Sequence, residues 1–168
     1  DCEGLLAASF GDPDNSIRLW RVEPDGTSKL VRSLWDEAGS GDIAFSPTGD
    51  ALAFSTDTAK VKLWNLTDNR VFTLYDLPPG PAREARTLAY SPDGEWLAFV
   101  SSRGNQPAGV LNLRTLDSFP LAQNDAFCAT WAPTGKVLAI GSTEGISVWS
   151  VDHSGPSRLL EYATAGPA

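Results

Sequence analysis

His153 is the only histidine among the 168 residues and so the first candidate for a general base. Base catalysis needs a positioned nucleophile and an acid that orients the imidazole. The setting of His153 is Asp152-His153-Ser154-Gly155-Pro156, which reads as an exposed turn between two strands. Asp12-Pro13-Asp14-Asn15 loosely resembles a calcium loop, which needs several oxygen ligands at alternate positions; it reads as an ordinary Asx-type turn. Cys2 and Cys128 are too few for a disulfide framework and, with one histidine, for a zinc site. They read as free thiols, Cys128 packed inside an inner strand, with a Cys2–Cys128 bridge as the alternative. No Gly-rich phosphate loop opens a helix and no Gly-x-Ser-x-Gly occurs. The reading is therefore a protein that is not an enzyme, with no catalytic, cofactor-binding or metal-binding residue assigned.

The six tryptophans are the next candidates. Trp20, Trp64 and Trp149 occupy matching slots in a repeated phrase: Ile17–Val22 IRLWRV, Val61–Leu66 VKLWNL, Ala108–Leu113 AGVLNL, Ile146–Val151 ISVWSV. Shared slots make them core spacers. Trp96, at a strand start, and Trp131, in an inner strand, also fit packing. Trp35 is different, because it ends an outer strand beside Asp36-Glu37. An exposed Trp rimmed by acids is a candidate binding hot spot.

A second phrase recurs ahead of the first. Ser46–Ser55 reads SPTGDALAFS, Ser91–Val100 SPDGEWLAFV and Ala132–Gly141 APTGKVLAIG, with a clipped GLLAAS at Gly4–Ser9. Its Leu-Ala anchors Leu6, Leu52, Leu97 and Leu138 are spaced 46, 45 and 41 residues apart. That period signals a repeat architecture. Turn residues separate the apolar runs, which are rich in Val, Ile, Phe and Trp, so the runs read as strands joined in hairpins. The second repeat parses as Asp42–Ser46, Ala51–Ser55, Val61–Leu66 and Arg70–Tyr75. The Ser-Pro-x-Gly element is the hairpin turn between strands one and two. Leu52, Phe54, Leu63, Leu97, Phe99, Leu138 and Ile140 alternate along strands two and three and are the expected core.

Four antiparallel strands in about 40–45 residues form a β-propeller blade. The chain resembles a WD-repeat (WD40-like) β-propeller over essentially its whole length. The family's Trp is present at Trp20, Trp64 and Trp149 and replaced by Leu111 in the third repeat. Its Asp is replaced by Arg21, Asn65, Asn112 and Ser150, and its Gly-His pair is missing, so the family's buried Asp-His-Ser-Trp network is incomplete here. The third repeat, SPDGEWLAFVSSRGN, also resembles propellers of the TolB and prolyl-oligopeptidase type. The expected fold is all-β: a partial β-propeller of about four four-stranded antiparallel blades, near residues 1–41, 42–86, 87–126 and 127–168, within a larger ring of seven or eight. The first blade lacks its innermost strand and there is no Met, both of which suggest a piece cut from a longer chain. The remainder of the ring is expected from that parent chain or, less favoured, from a second copy.

Net charge is −8, with 13 basic residues scattered, which argues against nucleic-acid binding. No apolar run is long enough to span a bilayer, so no membrane role is expected. The resemblance implies a non-catalytic protein-interaction or regulatory scaffold whose protein partner meets the loops at one face of the disc. Those loops carry Trp35, Glu37, Asp57, Arg83, Arg86, Arg103, Asn105 and Glu144. The alternative is a propeller that filters or recruits substrate for an enzyme domain outside this chain. An enzymatic site in a central channel would need converging carboxylates, and the inner strands offer only Asp42 and, near an end, Asp125.

Overall fold

Antiparallel hairpins account for every strand in the computed structural model, which describes residues 4–11, 13–35, 41–77, 87–100, 108–122 and 125–163. The first sheet has three strands, β1 (Leu5–Phe10), β2 (Ser16–Val22) and β3 (Ser28–Trp35). The second has four: β4 (Ile43–Phe45), β5 (Ala51–Ser55), β6 (Lys60–Asn65) and β7 (Val71–Asp76). The third comprises β8 (Thr87–Tyr90), β9 (Trp96–Val100), β10 (Gly109–Asn112) and β11 (Ser118–Pro120). The fourth comprises β12 (Ala126–Trp131), β13 (Val137–Ser142), β14 (Gly145–Asp152) and β15 (Gly155–Ala163). Each strand pairs with its sequence neighbour, so each sheet is a meander. The expected strands of the second repeat are each met within one residue.

The Ser-Pro-x-Gly turns are closed from within. Gly49 donates its amide to Ser46 O and Gly94 to Ser91 O, both at 2.9 Å. Each glycine has positive φ, 70° and 74°, which a side chain would strain. The serine hydroxyls then accept the amides of Ala51 at 3.1 Å and Trp96 at 2.9 Å, starting the next strand in register.

Three apolar seams join the four sheets. Ile17 and Leu19 of the first sheet meet Leu52, Phe54 and Trp64 of the second. Ala53 and Val61 of the second meet Leu88, Leu97, Phe99 and Leu111 of the third. Trp96, Ala98, Val100 and Val110 of the third meet Leu138, Ile140, Trp149 and Val151 of the fourth. Alternate residues of one strand thus serve opposite seams, as the period of two requires. Of the expected core, six residues are buried and Leu63 is half-buried, since it lines a cleft open to solvent. In the second seam the Phe99 ring lies across Gly109, where a Cβ would come within 2.3 Å of it, and packs on Tyr75 at 4.9 Å between centroids.

Polar links stitch the inner strands across each seam. Ser9 Oγ donates to Gly41 O at 3.2 Å, the Leu88 amide donates to Asp42 Oδ2 at 2.8 Å, and Thr87 Oγ1 donates to Phe127 O at 3.1 Å. Asp42, the one carboxylate expected in an inner strand, stands at the entry to β4 and ties it to the next sheet.

Leu97→Ala should destabilise the chain by about 2–5 kcal/mol in chemical denaturation, because it opens a cavity between two packed sheets; a loss under about half a kilocalorie would remove Leu97 from the core. Asp42→Ala should cost about 1–3 kcal/mol by leaving the Leu88 amide without its carboxylate. An unchanged melting temperature for that variant would show the link to be dispensable.

Candidate protein-interaction surface

The turns between β1 and β2, β5 and β6, and β13 and β14 lie at one end of the strands. The Ser-Pro-x-Gly turns lie at the other. Register fixes which candidate residues share the first end. Trp35 pairs with Ser16, beside the Gly11–Asn15 turn, and is 66% exposed. Asp57 is exposed in the turn between β5 and β6, which Thr56 closes by accepting the Lys60 amide on Oγ1 at 3.2 Å. Glu144 is exposed in the turn between β13 and β14, where its amide donates to Ser142 Oγ at 3.2 Å. These three residues thus stand on the first, second and fourth sheets, all at one face. Glu37, Arg83, Arg86, Arg103 and Asn105 lie outside the described residues.

The other candidates resolve locally. His153 is exposed in its turn, 4.0 Å from Glu95 Oε2. Asp14 pairs with Arg18 at 2.5 Å inside the first turn. Cys128 is a free thiol, but it is exposed rather than packed. It lies on β12 opposite Gly141, on the face of the fourth sheet turned away from the third. Cys2 lies outside the described residues. Among the described residues no three His, Cys, Asp or Glu gather where they could hold a metal ion.

The slots of the missing family Asp have local work. Asn65 Oδ1 accepts the amides of Thr67 and Asp68, and Asn112 Oδ1 those of Arg114 and Thr115, so both fold the next turn. Trp64 Nε1 donates to Asn69 Oδ1 at 3.0 Å and Trp149 Nε1 to Ser147 Oγ at 2.9 Å. The indoles are therefore satisfied without the family network.

The opposite face holds a feature with no strong sequence signal. A cleft of about 340 Å³ opens between the second and third sheets, lined by Pro47, Asp50, Leu63, Tyr90, Asp93 and Leu113. An aromatic residue precedes each turn, at Phe45, Tyr90 and Trp131. Trp131 Nε1 donates to Ala89 O at 3.0 Å, whereas the buried Tyr90 hydroxyl has no partner. Burial pushes the Tyr90 phenol above its ordinary value, and the Asp50 carboxylate adds to the shift. Asp50 itself is held below the usual carboxylate range by the hydroxyls of Thr48 and Ser46.

The comparisons bear on this architecture. The family model described as the anaphase-promoting complex subunit 4 WD40 domain matches residues 43–107. WD repeat-containing protein VIP3 of Arabidopsis thaliana is 26% identical over 94% of this chain and 56% of that protein. WD repeat-containing protein SL1-17 of Schistosoma mansoni is 25% identical over 93% and 54%. The fold is that of a β-propeller, and the repeats are similar to those of WD40 proteins. Cell division cycle 20.5, cofactor of APC complex, of A. thaliana is 27% identical over 92% of this chain and 34% of that protein. This propeller chain thus spans about half the length of the first two relatives and a third of the last. The crystal structure of a protein assigned as a 6-phosphogluconolactonase from Bacteroides uniformis superposes with a TM-score of 0.73. It covers 93% of this chain and 50% of that one at 16% identity, so the likeness is one of fold alone.

Tyr90 yields a pH prediction. Its folded-state pKa is raised, so the neutral phenol favours the fold below the ordinary tyrosine value of about 10. That contribution is lost as pH rises through the folded value, because the unfolded chain ionises first. Tyr90→Phe should flatten the alkaline fall of the melting temperature. At neutral pH it should leave stability unchanged or up to about 1 kcal/mol higher, since an unpartnered hydroxyl is removed. A steeper alkaline fall in the variant would overturn the assignment.

Proposed function

We propose that this chain is a non-catalytic protein-interaction module of WD-repeat type, recruiting a partner at the face that carries Trp35, Asp57 and Glu144. The supporting observation is Trp35, a large aromatic left 66% exposed at the end of β3. Trp loses little conformational freedom on binding and supplies much contact area, so it suits the centre of an interface. Acidic residues on separate sheets frame the same face and favour a partner surface with basic groups. Glu37, Arg83, Arg86, Arg103 and Asn105 belong to the same proposal through their place in the sequence. WD40 domains generally bind protein partners, which agrees with this use of the fold. The rest of a propeller ring, from a parent chain or a second copy, belongs to the same reading.

Peptides selected from a random displayed library against the immobilised chain provide the test. Trp35→Ser combined with Asp57→Lys and Glu144→Lys should weaken most selected peptides at least tenfold, with an unchanged melting temperature. Arg114→Glu and Lys29→Glu, at exposed positions toward the other end of the strands, should leave them bound. Peptides lost only with the second pair would place the interaction face on the Ser-Pro-x-Gly side.

A further inference from the structure

The two outer faces of the four-sheet unit carry the same residue slots that pack inside it. In the repeats, Leu6, Leu52, Leu97 and Leu138 share a slot that faces the preceding sheet. Leu52, Leu97 and Leu138 are 0% exposed, and Leu6 is 54% exposed. Ile17, Val61, Ala108 and Ile146 share the slot that faces the following sheet. The first three are 0% exposed and Ile146 is 51% exposed. Residue type is kept in both slots and burial is not.

Register extends each face. On the first sheet, Leu6 pairs with Trp20 and Trp20 with Leu30; on the fourth, Ile146 pairs with Tyr162 and Val148 with Leu160. Tyr162 holds the slot of Tyr75, whose ring packs on Phe99, and Ala8 holds the slot of Phe99. The central cross-strand rows of the fourth sheet's free face, Thr130–Ala139–Val148–Leu160 and Cys128–Gly141–Ile146–Tyr162, carry no ionised side chain. On the first sheet's free face the cation Arg18 is paired with Asp14 and lies 4.8 Å over the Phe10 ring. The second sheet carries Lys62 at the same slot, half-buried against the first, so an internal seam already accommodates a cation there.

We propose that a second copy of this chain covers both faces: the fourth sheet of each copy packs on the first sheet of the other, closing an eight-sheet ring with twofold symmetry. This rests on the reading of the chain as part of a propeller ring. The seam to be formed repeats three seams already present in the chain, and a second copy carries both halves of it. A head-to-tail contact forms a ring when its rotation closes, and rings of about four to eight blades are known.

Sedimentation of the purified chain tests the arrangement. The expected species has twice the 17.9 kDa of one chain. Leu6→Arg disables one face and Ile146→Arg the other, so each variant alone should sediment as a single chain, its dissociation constant raised at least tenfold. Mixed in equal amounts they should pair again, because the intact face of each meets the intact face of the other. That rescue also shows both variants to be folded, and Leu6→Ser with Ile146→Ser gives the same test with smaller changes. A wild-type chain that stays at 17.9 kDa, open-ended polymers, or variants that do not rescue each other would overturn the proposal. A single-chain wild type that still holds the selected peptides would refute the second copy and leave the interaction reading standing.

Discussion

The two inner sheets of this chain, β4–β7 and β8–β11, are apolar on both faces and each is covered twice. That constraint organises the fold. In β9 five consecutive residues, Trp96–Val100, are buried, the odd ones against one neighbour and the even ones against the other. A strand of this kind cannot form the outer skin of a two-layer sandwich, where one face meets water. It needs a stack of sheets, and the repeat provides one by placing a large residue and a small one in alternation: Leu52-Ala53-Phe54 and Leu97-Ala98-Phe99. Leu52, Phe54, Leu97 and Phe99 fill the seams toward the preceding sheet, while Ala53 and Ala98 stand in the seams toward the following one, Ala98 between the larger Trp96 and Val100.

The strands, their order and the blade type were legible in the sequence because the repeat prints the same pattern several times. Alternation in Ala51–Ser55 and the Ser-Pro-x-Gly turn left little room for another register. Long-range partners were not legible. Asp42 looked like a candidate carboxylate in an inner strand, and its partner is an amide 46 residues away. Tyr90 and Trp131 share a slot, but only geometry shows that one polar atom finds a carbonyl and the other finds nothing. Trp20 shares the slot of Trp64 and Trp149 yet is only half-buried, and Cys128 sits in an inner strand yet is exposed. Both depart from expectation for one reason. Sequence pattern reports which face a residue takes, and the presence of a neighbour decides whether that face is covered.

The departures from the family motif follow the same logic. A buried Asp-His-Ser-Trp network is one way to satisfy an indole N–H and to hold a turn. Here those two tasks are separated. Ser147 and Asn69 take the indole donors of Trp149 and Trp64, while Asn65 and Asn112 fold the turns from the position of the missing Asp. Neutral groups bonded to near neighbours in sequence cost less to bury than a charged relay assembled from distant strands. The repeat therefore holds its geometry with Arg21, Asn65, Asn112 and Ser150 in the slot of the family's Asp.

Charge is partitioned with equal consistency, and this separates the two kinds of contact available to the chain. The ion pairs Lys60–Asp76 and Arg158–Glu161 involve outer strands, and Arg114–Glu95 joins a turn to a hairpin, while the seams are built from apolar clusters with Lys62 half-buried beside the first of them. Contacts made through the seams are governed by apolar area, so they strengthen with added salt or are indifferent to it. Contacts made at the turn face around Asp57 and Glu144 are governed by exposed charge and weaken as ions screen it within about 8–10 Å. A net charge of −8 acts against self-association at long range, so the seams must work at short range against that repulsion. Raising ionic strength should then favour packing of sheet on sheet while it loosens binding at the turns, and the opposite signs of the two responses identify which surface a given contact uses.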